Sequence, residues 1–296
     1  MMKPPAPHVL IVGHGTIATF LGIALQSTDS EVWHLIRGDE QPLPVRVAFQ
    51  DRRLAQFHQE ASEYAYRMLP DRWEMGEFDW IILAVGEHDM PSLMAEIGPF
   101  LTPQQHLLTM GNVWHAYESL DQYAKGQYLL GFPHFGGVLA EGTLTGWLTE
   151  HITIGEPDGS MSERAGEMQQ LLFEAGFNPE IRPDMKDWLA VHFAWNSSLM
   201  TAVAEAGGYA ALANDWKAMI HGFQRCRKLM QQLRDQGIPT ERYPDGRKAF
   251  RPHWFNAIRF WLMLHVPGLA KRKDLIQKPQ ELKSYWQAIP AEPITA

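Results

Sequence analysis

Two short stretches carry residue types and spacings that could do chemistry. Gly13-His14-Gly15-Thr16-Ile17-Ala18 fits the pattern G-x-G-x-x-G/A, with Ala18 in the third small position. In that pattern the first glycine permits a sharp turn and the second lets the backbone approach a pyrophosphate. The helix that follows offers unpaired N–H groups and the positive end of its dipole. The second stretch is Asp187-Trp-Leu-Ala-Val-His192-Phe-Ala-Trp-Asn196. A spacing of four puts His192 and Asn196 on one helical face, among Trp188, Leu189, Phe193 and Trp195. Histidine is the side chain best suited to exchange a proton near neutrality, and the amide could orient a substrate. The bland alternatives are a glycine turn that holds nothing, and a hydrogen-bonded core histidine beside a packing asparagine.

The elements around the loop favour the first reading. Residues 8–13 form a β-branched run ending in glycine, residues 16–26 carry apolar side chains at helical spacing, and residues 31–36 form the next strand. Strand, tight turn and helix is the setting a dinucleotide loop requires. Arg37 directly follows the second strand, where an acidic residue would bond a ribose 2′-hydroxyl and an arginine would pair with a 2′-phosphate. NADP(H) is therefore expected, unless the strand ends later and Asp39 or Glu40 serves NAD.

Further along, residues 78–85, 106–110 and 127–130 read as strands, and residues 90–101 and 113–123 as helices. This alternation predicts a doubly wound parallel sheet. Residues 143–154 read as two late strands closing the first domain, with the boundary at the Glu156-Pro157-Asp158-Gly159 turn. The expected division is a dinucleotide-binding α/β domain over 1–157 and a mostly helical substrate domain over 158–296. Helices are expected at 161–175, 188–206, 210–236 and 250–265. Residues 46–72 give no clear pattern.

Composition narrows the partners. Lys and Arg total 26 against 34 Asp and Glu, a net charge of −8 without a long basic run. A small-molecule substrate is expected, and nucleic acid is not. The only cysteine, Cys226, cannot form an internal disulfide. The thirteen histidines scatter without metal-ligand spacing, so no metal is expected. No apolar run approaches membrane-spanning length, and residues 1–7 lack the apolar centre of a secretory signal. A cytoplasmic protein without membrane partners is expected, with a homodimer as its assembly if it has one. His134 follows the last core strand at the ligand-binding edge of the sheet and reads as an ordinary loop residue. Trp188, Trp195, Trp254 and Trp261 could form an aromatic wall, although core packing accounts for most tryptophans.

The glycine loop, Arg37, the strand at 79–85, Gly111-Asn112 after Leu107-Leu-Thr-Met110, and the helix at 189–201 together resemble ketopantoate reductase and its relatives, in that order and spacing. The resemblance covers most of the first 215 residues and stops after Gly246. It implies a Rossmann-type domain followed by a helical one, with hydride passing from NADPH to the carbonyl of a 2-oxo acid, or an imine, between the domains. It implies cofactor contacts from Gly13, His14, Gly15, Thr16, Ile17, Ala18, Arg37, Val85, Gly86, Gly111 and Asn112, and catalytic roles for His192, Asn196 and Asn112. The chain departs from the family pattern at several points. His192 stands where the family has a lysine that protonates the ketone oxygen, and Gly86 stands where a lysine often lies near the cofactor. Asn-Gly is reversed or shifted at Gly111-Asn112, and the late serine and glutamate lack counterparts around 251–265. A cofactor-binding protein without turnover is the alternative. In the catalytic reading an imidazolium donor makes reduction fall as pH rises through neutrality, unless a carboxylate such as Asp187 or Glu205 supports it.

Overall fold

A computed structural model describes residues 6–36, 42–52, 63–70, 72–111 and 117–267 of the chain. The elements run β1 (His8–Val12), α1 (Thr16–Leu25), β2 (Glu31–Leu35), β3 (Val45–Arg52), β4 (Glu63–Tyr64), β5 (Trp80–Leu83) and α2 (Met90–Ile97). They continue with β6 (His106–Met110), α3 (Tyr117–Ala124), β7 (Tyr128–Pro133), β8 (Gly136–Ala140), β9 (Thr143–Thr149) and β10 (His151–Gly155). The last are α4 (Glu163–Glu174), β11 (Asn178–Ile181), α5 (Met185–Ala206), α6 (Tyr209–Leu212), α7 (Trp216–Asp235), α8 (Pro244–Ala249) and α9 (His253–Leu264).

The seven-stranded sheet has the order β11-β10-β7-β6-β5-β1-β2, and its five strands from β7 to β2 are parallel. β10 runs antiparallel to β7 and carries β11 parallel beside it. Because β1 sits between β2 and β5, the chain leaves it in one direction and returns on the other side. The carboxyl ends of β1 and β5 are thus the switch point where ligands bind in such sheets. Val9, Leu10 and Ile11 in β1 and Phe20, Leu21 and Leu25 in α1 are wholly buried. Each such side chain stabilises the fold by about 1.5–3 kcal/mol, which explains the near-continuous apolar run of the strand.

The stretch at 46–72 that shows no sequence pattern supplies β3 and β4. With β8 and β9 these form a second, four-stranded sheet in the order β4-β3-β9-β8. The two late strands expected at 143–154 are accordingly divided between sheets, β9 in the second and β10 in the first. Of the helix expected at 113–123, residues 113–116 lie outside the described residues, and helix is present from Tyr117.

The boundary expected at 157/158 is corrected. The compact units are Met1–Lys186 and Asp187–Ala296. The turn at 156–159 does not separate domains, because it feeds α4, which returns to the first sheet. Met168 and Leu172 of α4 join the core that holds β1, and so does Phe177 just after it. Glu156, only 2% exposed, is clasped by Arg164 through paired contacts to its two oxygens and by Ser162. Ser162 also caps α4 by accepting from the Ala165 N–H at 3.1 Å.

The second unit is helical. Gly207 and Gly208, at φ +89° and +134°, end α5. The single helix expected at 210–236 is interrupted at 213–215, where the Asp215 carboxylate caps α7 through the Ala218 N–H at 2.9 Å. Pro252 immediately precedes α9, so the helix expected from 250 begins at His253. Among the described residues no helix is long and apolar enough to cross a membrane.

Candidate functional site

In the first unit the glycine loop follows β1 directly. Gly13 has φ +115°, a conformation L side chains rarely adopt, and a Cβ there would lie 3.0 Å from the Ala84 carbonyl oxygen. Its N–H donates to the Leu35 carbonyl at 2.9 Å, tying the turn to the end of β2. Gly15 is the N-cap of α1 and makes no side-chain cap, and the first turn of α1 carries no acidic residue. A Cβ on Gly15 would meet nothing within 4 Å. Among the described residues the space beside this helix start is therefore open, and no acid in its first turn neutralises the positive dipole end. A pyrophosphate fits that cradle. Ala18 is fully buried and lets α1 pack closely, while Ile17 packs against the core and Thr16 Oγ1 accepts from the Leu139 N–H at 3.2 Å.

Val85 and Gly86 follow β5, and Gly111 follows β6 with its N–H bonded to the Gly131 carbonyl at 3.1 Å. A Cβ on Gly13 would lie 3.7 Å from Val85 Cγ1, and one on Gly111 would lie 4.0 Å from the Val85 carbonyl oxygen. The fold thus gathers Gly13, Val85 and Gly111 at the carboxyl ends of three neighbouring strands. Arg37 and Asn112 lie outside the described residues. His134 is a structural loop residue. Its ring bonds Thr153 Oγ1 at 2.8 Å and its carbonyl accepts from Thr149 Oγ1 at 3.0 Å.

In the second unit, His192 and Asn196 share a half-buried face of α5. His192 Nδ1 lies 3.0 Å from Asp245 Oδ2, and Asn196 Nδ2 lies 2.7 Å from His192 Nε2. With the amide donating to Nε2, the ring proton is on Nδ1 and is given to Asp245. Trp188 stacks on the imidazole at 4.9 Å and 7° between planes. Lys248 Nζ bonds the other Asp245 oxygen at 2.9 Å and stands 5.6 Å over the ring of Trp195. Burial alone would raise the Asp245 carboxyl, but the hydrogen bonds from His192 and Lys248 outweigh it and hold the group below its ordinary range.

The carboxylate that bonds the ring is Asp245, where the sequence offers Asp187 or Glu205 as examples of such a group. Glu205 pairs instead with Arg225 at 3.0 Å. Asp245 opens α8, 53 residues from His192 in sequence, so no spacing rule connects them. Its one local sign is Pro244-Asp245 with Lys248 a turn later, a helix start with an i,i+3 ion pair. Close packing and hydrogen bonds hold α8 in place. Gly246 packs so closely that a Cβ would stand 2.0 Å from the Thr240 carbonyl oxygen, and Asn256 Nδ2 donates to the Lys248 carbonyl at 2.7 Å. Of the four tryptophans proposed as an aromatic wall, Trp188 and Trp195 flank this group, whereas Trp254 and Trp261 are on α9 and are 57% and 37% exposed.

No curated protein sequence matches the chain. Solved structures resemble its fold at low identity. The 2-dehydropantoate 2-reductase of Geobacter metallireducens GS-15 is 14% identical with a TM-score of 0.63, over 95% of this chain and 99% of that one. D-mandelate dehydrogenase, solved in complex with NADH, is 11% identical with a TM-score of 0.64, over 95% and 92%. The dimeric ketopantoate reductase of Staphylococcus aureus is 11% identical with a TM-score of 0.61, over 95% and 98%. The family description "Ketopantoate reductase PanE/ApbA" matches residues 9–159, half of the chain, with the whole of the glycine loop and most of the sheet behind it. The chain belongs to the ketopantoate reductase PanE/ApbA family of nicotinamide-dependent oxidoreductases.

Proposed function

We propose that the chain is an NADPH-dependent reductase of a small molecule, acting on the carbonyl of a 2-oxo acid or on an imine, with His192 handling the proton. The observation that carries this reading is the His192 ring, held at Nδ1 by Asp245 and met at Nε2 by the Asn196 amide. A base, its orienting carboxylate and a neighbouring amide are the parts that proton transfer needs. Residues 13–18 with Val85, Gly86 and Gly111 hold the dinucleotide, Arg37 takes the 2′-phosphate, and Asn112 orients the substrate with Asn196. When bound, NADPH supplies the hydride.

In its protonated form, with the Asn196 amide turned so that its oxygen accepts from Nε2, His192 gives the Nε2 proton to the substrate heteroatom. The ring is then left with its remaining proton on Nδ1, bonded to Asp245, which is the tautomer the hydrogen bonds select. Trp188 keeps the ring flat against one apolar face, and Lys248 neutralises the charge Asp245 does not share with His192. The D-mandelate dehydrogenase neighbour was solved with NADH. The choice of NADPH rests on Arg37. The S. aureus neighbour is described as dimeric. A homodimer in the cytoplasm is part of the same proposal.

The test is loss of NADPH absorbance with a panel of 2-oxo acids and imines. Turnover with at least one of them is expected. A protein that binds NADPH and leaves it unoxidised throughout would be a cofactor binder without catalysis. Gly15→Val should abolish cofactor binding while the protein stays folded, because the branched side chain fills the open space beside the loop. Undiminished binding would make the loop a turn only.

A further inference from the structure

β4 and the residues after it bring two tyrosines beneath the glycine loop. Tyr64 Oη lies 2.7 Å from Nε2 of His34, and His34 Nδ1 lies 2.9 Å from the Gly13 carbonyl oxygen. A carbonyl can only accept, so Nδ1 carries the ring proton, Nε2 accepts, and the Tyr64 hydroxyl is the donor. Thr19 Oγ1 donates to the Gly15 carbonyl at 2.9 Å, so the Tyr66 hydroxyl, 2.7 Å away, gives its one proton to Thr19 Oγ1 and shares it with the His14 carbonyl at 3.4 Å. The carbonyls of Gly13, His14 and Gly15 are thus all met from one group of four side chains. His34 is fully buried and Tyr64 is 3% exposed, and the rings of His34, Tyr64 and Tyr66 meet edge to face. α1 makes room for them at Gly22, where a Cβ would stand 2.1 Å from Tyr64 Oη and 2.8 Å from His34 Nε2. A glycine inside a helix costs about 1 kcal/mol, which this contact explains.

The trans peptide unit is planar, with the carbonyl of one residue and the N–H of the next pointing in opposite directions. Holding the three carbonyls toward the tyrosines therefore turns the N–H groups of His14, Gly15 and Thr16 the other way, toward the open side of Gly15. We propose that Tyr64 and Tyr66 are positioning residues for the dinucleotide: through His34 and Thr19 they fix the glycine loop so that its N–H groups face the pyrophosphate. This rests on the dinucleotide reading of the loop, and it gives the strand pair inserted after β2 a part in that site. Desolvation lowers the His34 pKa to about 4, so the ring stays neutral and keeps its donor-and-acceptor pattern near neutral pH.

The experiment compares the parent with the Tyr64→Phe/Tyr66→Phe double variant in NADPH affinity, in kcat at saturating NADPH, and in amide hydrogen exchange over residues 13–16. Loss of the two hydroxyls should weaken NADPH binding about tenfold or more. Loop exchange should quicken and kcat should hold. His34→Asn and His34→Leu separate positioning from packing. Both lose the Tyr64 bond, but an asparagine amide can still donate to the Gly13 carbonyl. The Asn variant should therefore bind NADPH less tightly than the parent but more tightly than the Leu variant, and equal affinity in the two variants would leave His34 to packing alone. A parent that binds neither NADPH nor NADH overturns the cofactor reading itself. Loop exchange that is the same in parent and double variant overturns the network whatever the cofactor result.

Discussion

At the scale of residues, the position of His192 sets what its neighbours must do. An ammonium is a rotating point charge with three donors and needs no orienting partner, whereas an imidazole has two fixed directions and must be held in one of them. The lysine of the family pattern could act alone, and a histidine in its place needs the carboxylate that Asp245 provides at 3.0 Å. His192→Ala should lose about 100-fold or more in kcat, the scale for removing a general acid, with NADPH affinity little changed. Asp245→Asn keeps an acceptor for Nδ1 and should lose less than Asp245→Ala; equal kcat in both and the parent would return the pair to a structural role. Arg37→Ala should narrow the preference for NADPH over NADH, because only the 2′-phosphate gives the guanidinium a partner, and equal affinities in the parent would remove that role. The glycine loop was legible in the sequence because its requirements are local and steric. The pairing of His192 with Asn196 was legible because it follows from helical pitch. Asp245, His34 and Tyr64 were not, since each meets its partner only through tertiary packing, and His34 looks like one more position in the run Glu-Val-Trp-His-Leu.

At the scale of elements, parallel strands and their helices announced themselves by apolar periodicity, and the sheet follows that reading from β1 to β7. The second sheet did not, because β3 pairs with β9, and partners so far apart in the chain leave no local pattern. The turn at 156–159 resembles a domain boundary in sequence, but Pro, Asp and Gly mark any turn, whether or not domains part there. What decides the matter is the buried ion pair of Glu156 with Arg164, whose side chain is 15% exposed. Arg164 also donates to the Gly126 carbonyl, so the pair fastens α4 to the loop between α3 and β7. Removing one partner of a buried pair leaves the other charge uncompensated, and Glu156→Ala should destabilise the first unit by about 3–5 kcal/mol. Urea unfolding measures this, and a loss below ~1 kcal/mol would place the pair with ordinary surface ion pairs.

At the scale of the whole molecule, the buried titratable groups set how stability follows pH. Desolvation lowers the His34 pKa from 6.5 to about 4, so the folded state keeps this ring neutral while the unfolded chain takes up a proton below ~6.5. Wherever the unfolded state binds more protons, stability falls as pH falls. The loss begins near ~6.5, grows until the folded ring itself titrates at about 4, and totals roughly 3 kcal/mol. Burial lowers His106 and His253 as well, adding losses of the same sign. Asp245 acts lower still. Its folded carboxyl titrates below the ordinary range, so its contribution is intact above the unfolded value and disappears as pH drops through the folded one. No window of acid pH therefore stabilises the protein through these groups. Urea unfolding of the parent should show a midpoint that declines steadily from neutrality to near ~4, and His34→Asn, which cannot titrate there, should flatten the decline between ~6.5 and ~4. A parent as stable near ~4 as at neutrality, or a variant with the parent's slope, would mean that His34 takes up its proton without cost and that the bond from the Tyr64 hydroxyl to Nε2 does not hold the ring neutral.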